Sequence, residues 1–541
     1  MSPRETIRAA DALARRLHEA GCRHAFGIPG GEVLTLVDAL ERAGIRFTLV
    51  KHENAAGFMA EGVWHRTGAP GVMVATLGPG ALNAVNVAAN AEQDRVPLIV
   101  LTGCVDEDEA LTYTHQVLDH QAVFRPVTKA SFRMSAAGAD TLADKALAIA
   151  TEARPGPVHV DVPISVADAP CPSAVTRRRP QASPVAPAPG PDLERARQWL
   201  AEAERPVMIA GLDAVRDGAG AEIRAFAEEH GVPLVTSYKA KGLLPEDHAM
   251  ALGGAGLSPK ADALLLPFIR QADLVISAGY DPIEMRTGWR EIWDPADTRV
   301  IEIEATPSHH YMHQAGLRFV ADSAAGLHAL REGVSPRPTW AGGEIPALKA
   351  GLAAAFPEDE AWGPGAVIAE CREALPPETI ATVDSGAHRI LLSQMWRCTE
   401  PSTLLQSTGL CTMGCAVPLA IGAKIADPTR PVVSFSGDAG LLMIAGELAT
   451  AAELNLPVIF VVFVDQSLAL IELKQRQRQM GNAGVDFPRH DFAAIGRAFG
   501  GEGHTVTSRA ELRTALDAAL VSERFTVIAA EIDRQGYDGR I

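Results

Sequence analysis

Short runs of consecutive apolar, β-branched residues recur along the chain. Between them lie longer stretches whose apolar positions fall three and four apart. A run that is apolar at every residue, rather than at alternate residues, is what a strand covered on both faces requires. Twelve such strands are predicted. The first block holds residues 46–50, 72–76, 98–102 and 158–162. The second holds 207–210, 233–236, 274–278 and 300–304, and the third 382–384, 432–436, 458–464 and 527–532. At the N-terminus, Ile7, Ala10, Leu13, Ala14 and Leu17 share one helical face. Strands alternating with helices predict an α/β fold with parallel sheets covered on both sides.

Two breaks divide the pattern. Residues 167–192 include RRRPQASPVAPAPGP, too rich in proline for a helix or central strand, and read as a semi-rigid linker. Residues 335–343, SPRPTWAGG, form the second. The expectation is three doubly wound parallel-sheet domains, at 1–166, 193–335 and 344–541.

Composition changes this little. Of 541 residues, 47% are hydrophobic and 21% charged, enough apolar material for several cores. The net charge of −17 argues against nucleic acid or an anionic membrane surface as partner. No pair of the seven cysteines has CxxC spacing, so buried free thiols are expected. The N-terminus lacks an unbroken apolar segment, and runs such as 456–464 are too short to span a bilayer. A cytoplasmic location is expected.

Candidate chemistry first appears in the third block, in VVSFSGDAGLLMIAGELATAAELNLPVIFVVFVDQSLALI. A strand runs into Gly437, Asp438, Ala439 and Gly440 and then a helix. Ligands of open α/β sheets sit beyond such strand ends, where a helix start offers free N–H groups to phosphate. Asp438 would repel a phosphate unless a divalent cation lay between them. The next strand ends at Asp465, so adjacent strand ends would bring both carboxylates to one crevice. Oxygen ligands suit Mg²⁺. A plain turn capped by one aspartate has the same local pattern.

Here the chain resembles the thiamine-diphosphate enzymes. The resemblance makes Asp438, Asp465 and the carbonyl of Ser467 the metal ligands. Two departures stand out: Ala439 where the family usually has glycine, and Asp465 for the commoner Asn. The first block carries HAFGIPGGEV, TLVKHENAAGFMAEG and VATLGPGALNAVNVAANAEQDRVPLIVLTG in order, and resembles the pyrimidine-binding domain of the acetolactate synthase-like subfamily. Glu53 stands at the family's glutamate, which hydrogen-bonds N1′ of the aminopyrimidine and favours its imino tautomer. An apolar cleft would raise its pKa. The resemblance also implies cofactor contacts from Pro29, Gly30 and Gly31, from Ala387 and His388 in DSGAHRI, and from Cys411, Met413 and Leu468. Met413 would wedge the cofactor into its bent form, although Met is also ordinary core filler. The middle block resembles the family's Rossmann-like domain. A homodimer or dimer of dimers is implied, with Glu53 of one chain and Asp438 of the other at each site.

The resemblance leaves the reaction open. Gly31 stands where simple pyruvate decarboxylases carry an aspartate, and Gln116 occupies the glutamine position of acetolactate synthases. Both favour ligation. His115 matches a decarboxylase histidine and could deliver a proton. Leu470 and Ile471 suit an apolar pocket wall. Lys474 could meet a substrate carboxylate or simply be solvated. The expectation is a 2-oxo acid carboligase acting on pyruvate or a relative. The alternatives are a non-oxidative 2-oxo acid decarboxylase, a lyase for 2-hydroxyacyl thioesters, and a non-catalytic cofactor-binding scaffold. The short tail RQGYDGRI ranks the lyase lower, leaving little material to cover a coenzyme A arm. No motif signals FAD, and none is expected.

Overall fold

In the computed structural model of the chain, residues 6–172, 182–283 and 285–541 are described. They contain three six-stranded sheets, parallel throughout, and one small antiparallel pair, Thr6–Arg8 with Pro170–Pro172. The proline-rich break falls partly on 173–181, outside the described residues.

The first sheet runs Arg46–Leu49, His24–Ile28, Gly71–Ala75, Leu98–Cys104, Val158–Pro163, Ala130–Arg133. The third runs Leu404–Gln406, Ile380–Val383, Val432–Gly437, Ile459–Val464, Thr526–Glu531, Glu502–Val506. Counted within each sheet, both orders are 2-1-3-4-6-5. The central sheet runs Ala251–Ala255, Leu234–Ser237, Pro206–Ala210, Leu274–Ala278, Arg299–Glu304, Leu317–Val320, the doubly wound order 3-2-1-4-5-6. In each sheet the direction of winding reverses beside the first strand, which opens a crevice at the strands' carboxyl ends.

All twelve predicted strands are present, within two residues at either end. Eight more were not predicted. Five of these lie at sheet edges, where one flank is open and no continuous apolar run is needed. The sixth, His24–Ile28, is interior. Its glycine hid it, since a Cβ on Gly27 would fall 1.9 Å from the carbonyl oxygen of Val74. The remaining two make the antiparallel pair. The second break is an anchored strap. Trp340 is buried, stacks on Phe268 at 4.2 Å and donates from Nε1 to the carbonyl of Pro206.

The first and third domains are locked by two helices, Glu53–Thr67 and Ala416–Ala426. Their glycines let the backbones touch. A Cβ on Gly422 would fall 2.0 Å from the Met59 carbonyl oxygen, and one on Gly62 2.4 Å from that of Leu419. The central domain joins them through Lys239, whose Nζ is 3.1 Å from buried Asp94. Asp94 in turn accepts from the N–H groups of Thr408 and Gly409. All seven cysteines are free, and six are buried.

Candidate active site

In the third sheet the reversal lies between Ile380–Val383 and Val432–Gly437. Residues 384–388 leave the first strand and 437–440 leave the second. Asp438 opens the helix Asp438–Ile444 and is 2% exposed. One of its oxygens accepts from the N–H of Ala439 (2.8 Å); the other accepts from those of Asp465 (3.1 Å) and Gln466 (2.7 Å). Asp465 ends the neighbouring strand and accepts from Ser467 N–H at 3.1 Å. Burial, followed by the nearby Asp438, pushes the Asp465 carboxyl up to about 8. A cation between these two buried acids would offset the cost of burying both charges. Among the described residues no group of three or more His, Cys, Asp or Glu is set to hold a metal. The pair would need further oxygens, from the Ser467 carbonyl, water or a ligand phosphate.

A cavity of about 170 Å³ opens over these acids. It brings together twelve of the residues singled out from the sequence: Ala387, His388, Met413, Gly437, Asp438, Ala439, Gly440, Asp465, Ser467, Leu468, Leu470 and Ile471. Burial, with Arg389 adjacent, pushes the His388 imidazole down to about 3, so the ring is neutral. It stacks on Phe463, and its buried Nε2 has no hydrogen-bond partner among the described residues.

Three contributors carry no sequence signal as single residues. Tyr537, near the end of the chain, is 2% exposed and lines the cavity, its hydroxyl unpartnered among the described residues. Asp384 is fully buried and accepts from the N–H groups of Ser385, Gly414 and Cys415. It thereby pins the turn after Met413. A Cβ on Gly440 would fall 2.0 Å from its Oδ2, so the fourth residue of GDAG has to be glycine. Glu447 accepts from the N–H groups of Lys51 (2.8 Å) and His52 (3.0 Å), fixing the chain's entry into the Glu53–Thr67 helix.

Cys411 and Lys474 do not line this cavity of the single chain. Cys411 takes a left-handed φ of +52° with its sulfur against Arg389. Lys474 is exposed on the helix Ala469–Gln477. The helix turns it outward, while Glu472 points in and pairs with Arg476.

The first sheet's crevice holds the other candidates. Pro29, Gly30 and Gly31 follow His24–Ile28. A Cβ on Gly30 would fall 2.2 Å from Thr76 Oγ1, whereas one on Gly31 would have nothing within 4 Å. Thr76 donates to Glu32 across the crevice at 2.6 Å. His115 and Gln116 line a second cavity, about 470 Å³, with Glu32, Leu77, Val105 and Glu109. Glu53 is 6% exposed, begins its helix, and accepts from Asn83 Nδ2 at 2.9 Å. It lines neither cavity. Neither of these cavities of the single chain holds both Glu53 and Asp438. A further cavity, about 1130 Å³, lies in the central domain among Trp293, His310 and His313 and shares no residue with either.

Three family models match the chain: the N-terminal TPP binding domain of thiamine pyrophosphate enzymes at residues 7–123, the central domain at 193–330, and the C-terminal TPP binding domain at 384–530. The acetolactate synthase of Bacillus subtilis is 31% identical over 97% of this chain and 93% of its own. The chain belongs to the thiamine pyrophosphate enzyme family. The large subunit of acetolactate synthase isozyme 1 of Escherichia coli is 30% identical over 99% of the chain and 95% of its own. A probable 2-ketoarginine decarboxylase of Pseudomonas aeruginosa is 33% identical over 92% and 89%.

The residues present fit the family's cofactor, thiamine diphosphate. His388 and Tyr537, each with a buried polar atom that has no partner among the described residues, line a cavity that opens at a helix start. The two buried acids call for a cation that a diphosphate would share. Met413, Leu470 and Ile471 supply an apolar wall for rings.

Proposed function

We propose that this thiamine pyrophosphate enzyme decarboxylates a 2-oxo acid such as pyruvate and joins the remaining acyl unit to a second carbonyl compound, as acetolactate synthases do. The supporting observation is the open space at Gly31 beside the Gln116 cavity. A second substrate has room there, and no side chain at that position delivers a competing proton. When bound, the cofactor supplies a thiazolium that takes up electrons as the carbon–carbon bond breaks.

The chain's own residues do the rest. Asp438, Asp465 and the Ser467 carbonyl hold Mg²⁺. Gly437, Ala439, Gly440, Ala387 and His388 surround the diphosphate. Met413 and Leu468 support the rings, with the carbonyls of Cys411 and Met413 facing the pyrimidine. Glu53 holds a proton at N1′ of the pyrimidine, flanked by Pro29 and Gly30. Gln116 and His115 orient substrate, and Leu470 and Ile471 pack its aliphatic part. With neither cavity of the single chain holding both Glu53 and Asp438, each site takes them from two chains of a homodimer or dimer of dimers. Exposed Leu82, Leu442 and Met443 suit such an interface. Residues 1–166 form the pyrimidine-binding domain, 193–335 the central domain and 344–541 the pyrophosphate-binding domain of a cytoplasmic enzyme.

A second reading, simple decarboxylation, is favoured by His115. The cavity lining includes Glu32 and Glu109 and no lysine or arginine, which suits a substrate with a cationic end. The test is a panel of 2-oxo acids, from pyruvate to guanidinium-bearing chains, with thiamine diphosphate and Mg²⁺. Carbon dioxide with a coupled hydroxyketone is the expected result. Carbon dioxide with free aldehyde supports the second reading, and no carbon dioxide from any donor sinks both.

A further inference from the structure

Behind the cavity of His115 and Gln116 lies a buried run of polar side chains with no part in the proposed reaction. His120, Asp161 and His159 are 2, 3 and 0% exposed. The Gly78 N–H donates to His120 Nε2 at 3.1 Å, and His120 Nδ1 lies 2.8 Å from Asp161 Oδ1. Thr102 Oγ1 donates to that same oxygen at 2.7 Å and lies 2.8 Å from His159 Nε2. His159 Nδ1 is 2.8 Å from Ser131 Oγ.

These contacts fix every hydrogen. A backbone N–H can only donate, so His120 Nε2 accepts and the ring's hydrogen sits on Nδ1, aimed at Asp161. Thr102 spends its one hydrogen on Asp161, so its oxygen accepts from His159 Nε2–H. His159 Nδ1 then accepts from the Ser131 hydroxyl. Hydrogens converge on Asp161 from both sides. Burial pushes the His159 imidazole down to about 4 against the pull of Asp161, in keeping with a neutral ring. Burial pushes Asp161 up, but hydrogen bonds from His120 and Thr102 and the nearby His159 outweigh it and hold it below the usual range.

Gly78 is the pivot. Its φ is +63°, and a Cβ there would fall 2.9 Å from the Gln116 carbonyl oxygen and 3.0 Å from the Gln116 Cβ. A Cβ on Gly80 would lie 3.1 Å from Glu53 Oε1, and Thr76 donates to Glu32. One turn, 76–80, therefore abuts Gln116, Glu53 and Glu32 at once, and His120 holds it from behind. His120 is also four residues beyond Gln116, so it fastens both partners of that contact.

We propose that His120, oriented by Asp161, is the positioning residue that fixes the 76–80 turn and, through it, Gln116 and Glu53. This rests on the roles proposed above for Gln116 and Glu53. Without its acceptor the Gly78 N–H would be buried and unpaired, and the turn would move to satisfy it.

The relay itself is read by ¹⁵N NMR of histidine-labelled, cofactor-free protein. His120 should appear as the neutral Nδ1–H tautomer and His159 as the Nε2–H tautomer. A proton on His120 Nε2 overturns the proposal. The positioning role is read by His120→Leu and His120→Gln. Glutamine can still accept from Gly78 and donate to Asp161. His120→Leu should lower kcat/KM for the preferred 2-oxo acid about tenfold to a hundredfold. His120→Gln should keep most of it. Thiamine diphosphate affinity, followed by tryptophan fluorescence, should fall in His120→Leu, because Glu53 shifts with the turn, and stay near wild type in His120→Gln. Equal losses in the two variants would mean a merely structural role and overturn the proposal. Should the leucine variant fail to fold, an unimpaired Asp161→Asn would do the same. If no 2-oxo acid is turned over, the reading of the reaction fails, but amide exchange still judges the relay. Protection of the 76–83 amides unchanged in His120→Leu would refute it.

Discussion

Tyr537 lines the cavity over Asp438 and Asp465, and its buried hydroxyl has no hydrogen-bond partner among the described residues. An unpaired buried hydroxyl costs stability unless a ligand completes it. Tyr537→Phe should therefore raise the melting temperature of the cofactor-free protein and weaken thiamine diphosphate binding severalfold. Calorimetry and a cofactor titration read both, and a change of the same sign in each would count against the hydroxyl's role. Asp384 makes a second residue-scale prediction. Burial pushes its carboxyl up to about 6 from 3.8, against three N–H donors. A carboxyl with a raised folded-state pKa binds more protons folded than unfolded, so its contribution is full below about 4 and lost as pH rises through 6. Wild-type stability should fall relative to Asp384→Asn across that window, in urea titrations at pH 4, 5, 6 and 7.

At the scale of elements, the Glu53–Thr67 and Ala416–Ala426 helices touch through glycine. Gly422→Ala would drive a methyl into the Met59 carbonyl and should cost about 1–3 kcal/mol. Gly31→Ala, with open space around it, serves as the control that leaves the denaturation midpoint in place. Elements also decide what the sequence discloses. Interior parallel strands are legible because both faces are buried and each residue must be apolar. Ala251–Ala255 and Leu404–Gln406 are not, being short edge strands with one open flank. The diphosphate end is legible because strand, turn and helix follow one another in the chain, so GDAG and Asp465 keep their spacing. Tyr537 and Glu447 escape notice because long-range packing alone brings them in. The outward turn of Lys474 depends on helical phase, which a composition-based reading of LALIELK does not resolve.

For the whole molecule, the first and third domains share one strand order and each opens a crevice where its winding reverses. The thiamine pyrophosphate enzyme family assigns a TPP-binding domain to both. The central domain fastens the pair through Lys239 and Asp94. Asp94 reaches Thr408 and Gly409, and buried Asn90 is 2.5 Å from Ser407 Oγ, which accepts from the Thr412 N–H. The residue next to Met413 is thus positioned jointly by all three domains. No helix of the described residues is long and apolar enough to cross a membrane.

That neither cavity of the single chain holds both Glu53 and Asp438 has a consequence that genetics can read. In a two-chain site, Glu53→Gln and Asp438→Asn each disable both sites of a pure dimer. A mixed dimer places both lesions in one site and leaves the other wild type. Two inactive proteins, unfolded and refolded together in equal amounts, should then recover about a quarter of wild-type activity, since half the dimers carry one intact site of two. Complementation of this kind is impossible if each chain builds its own centre.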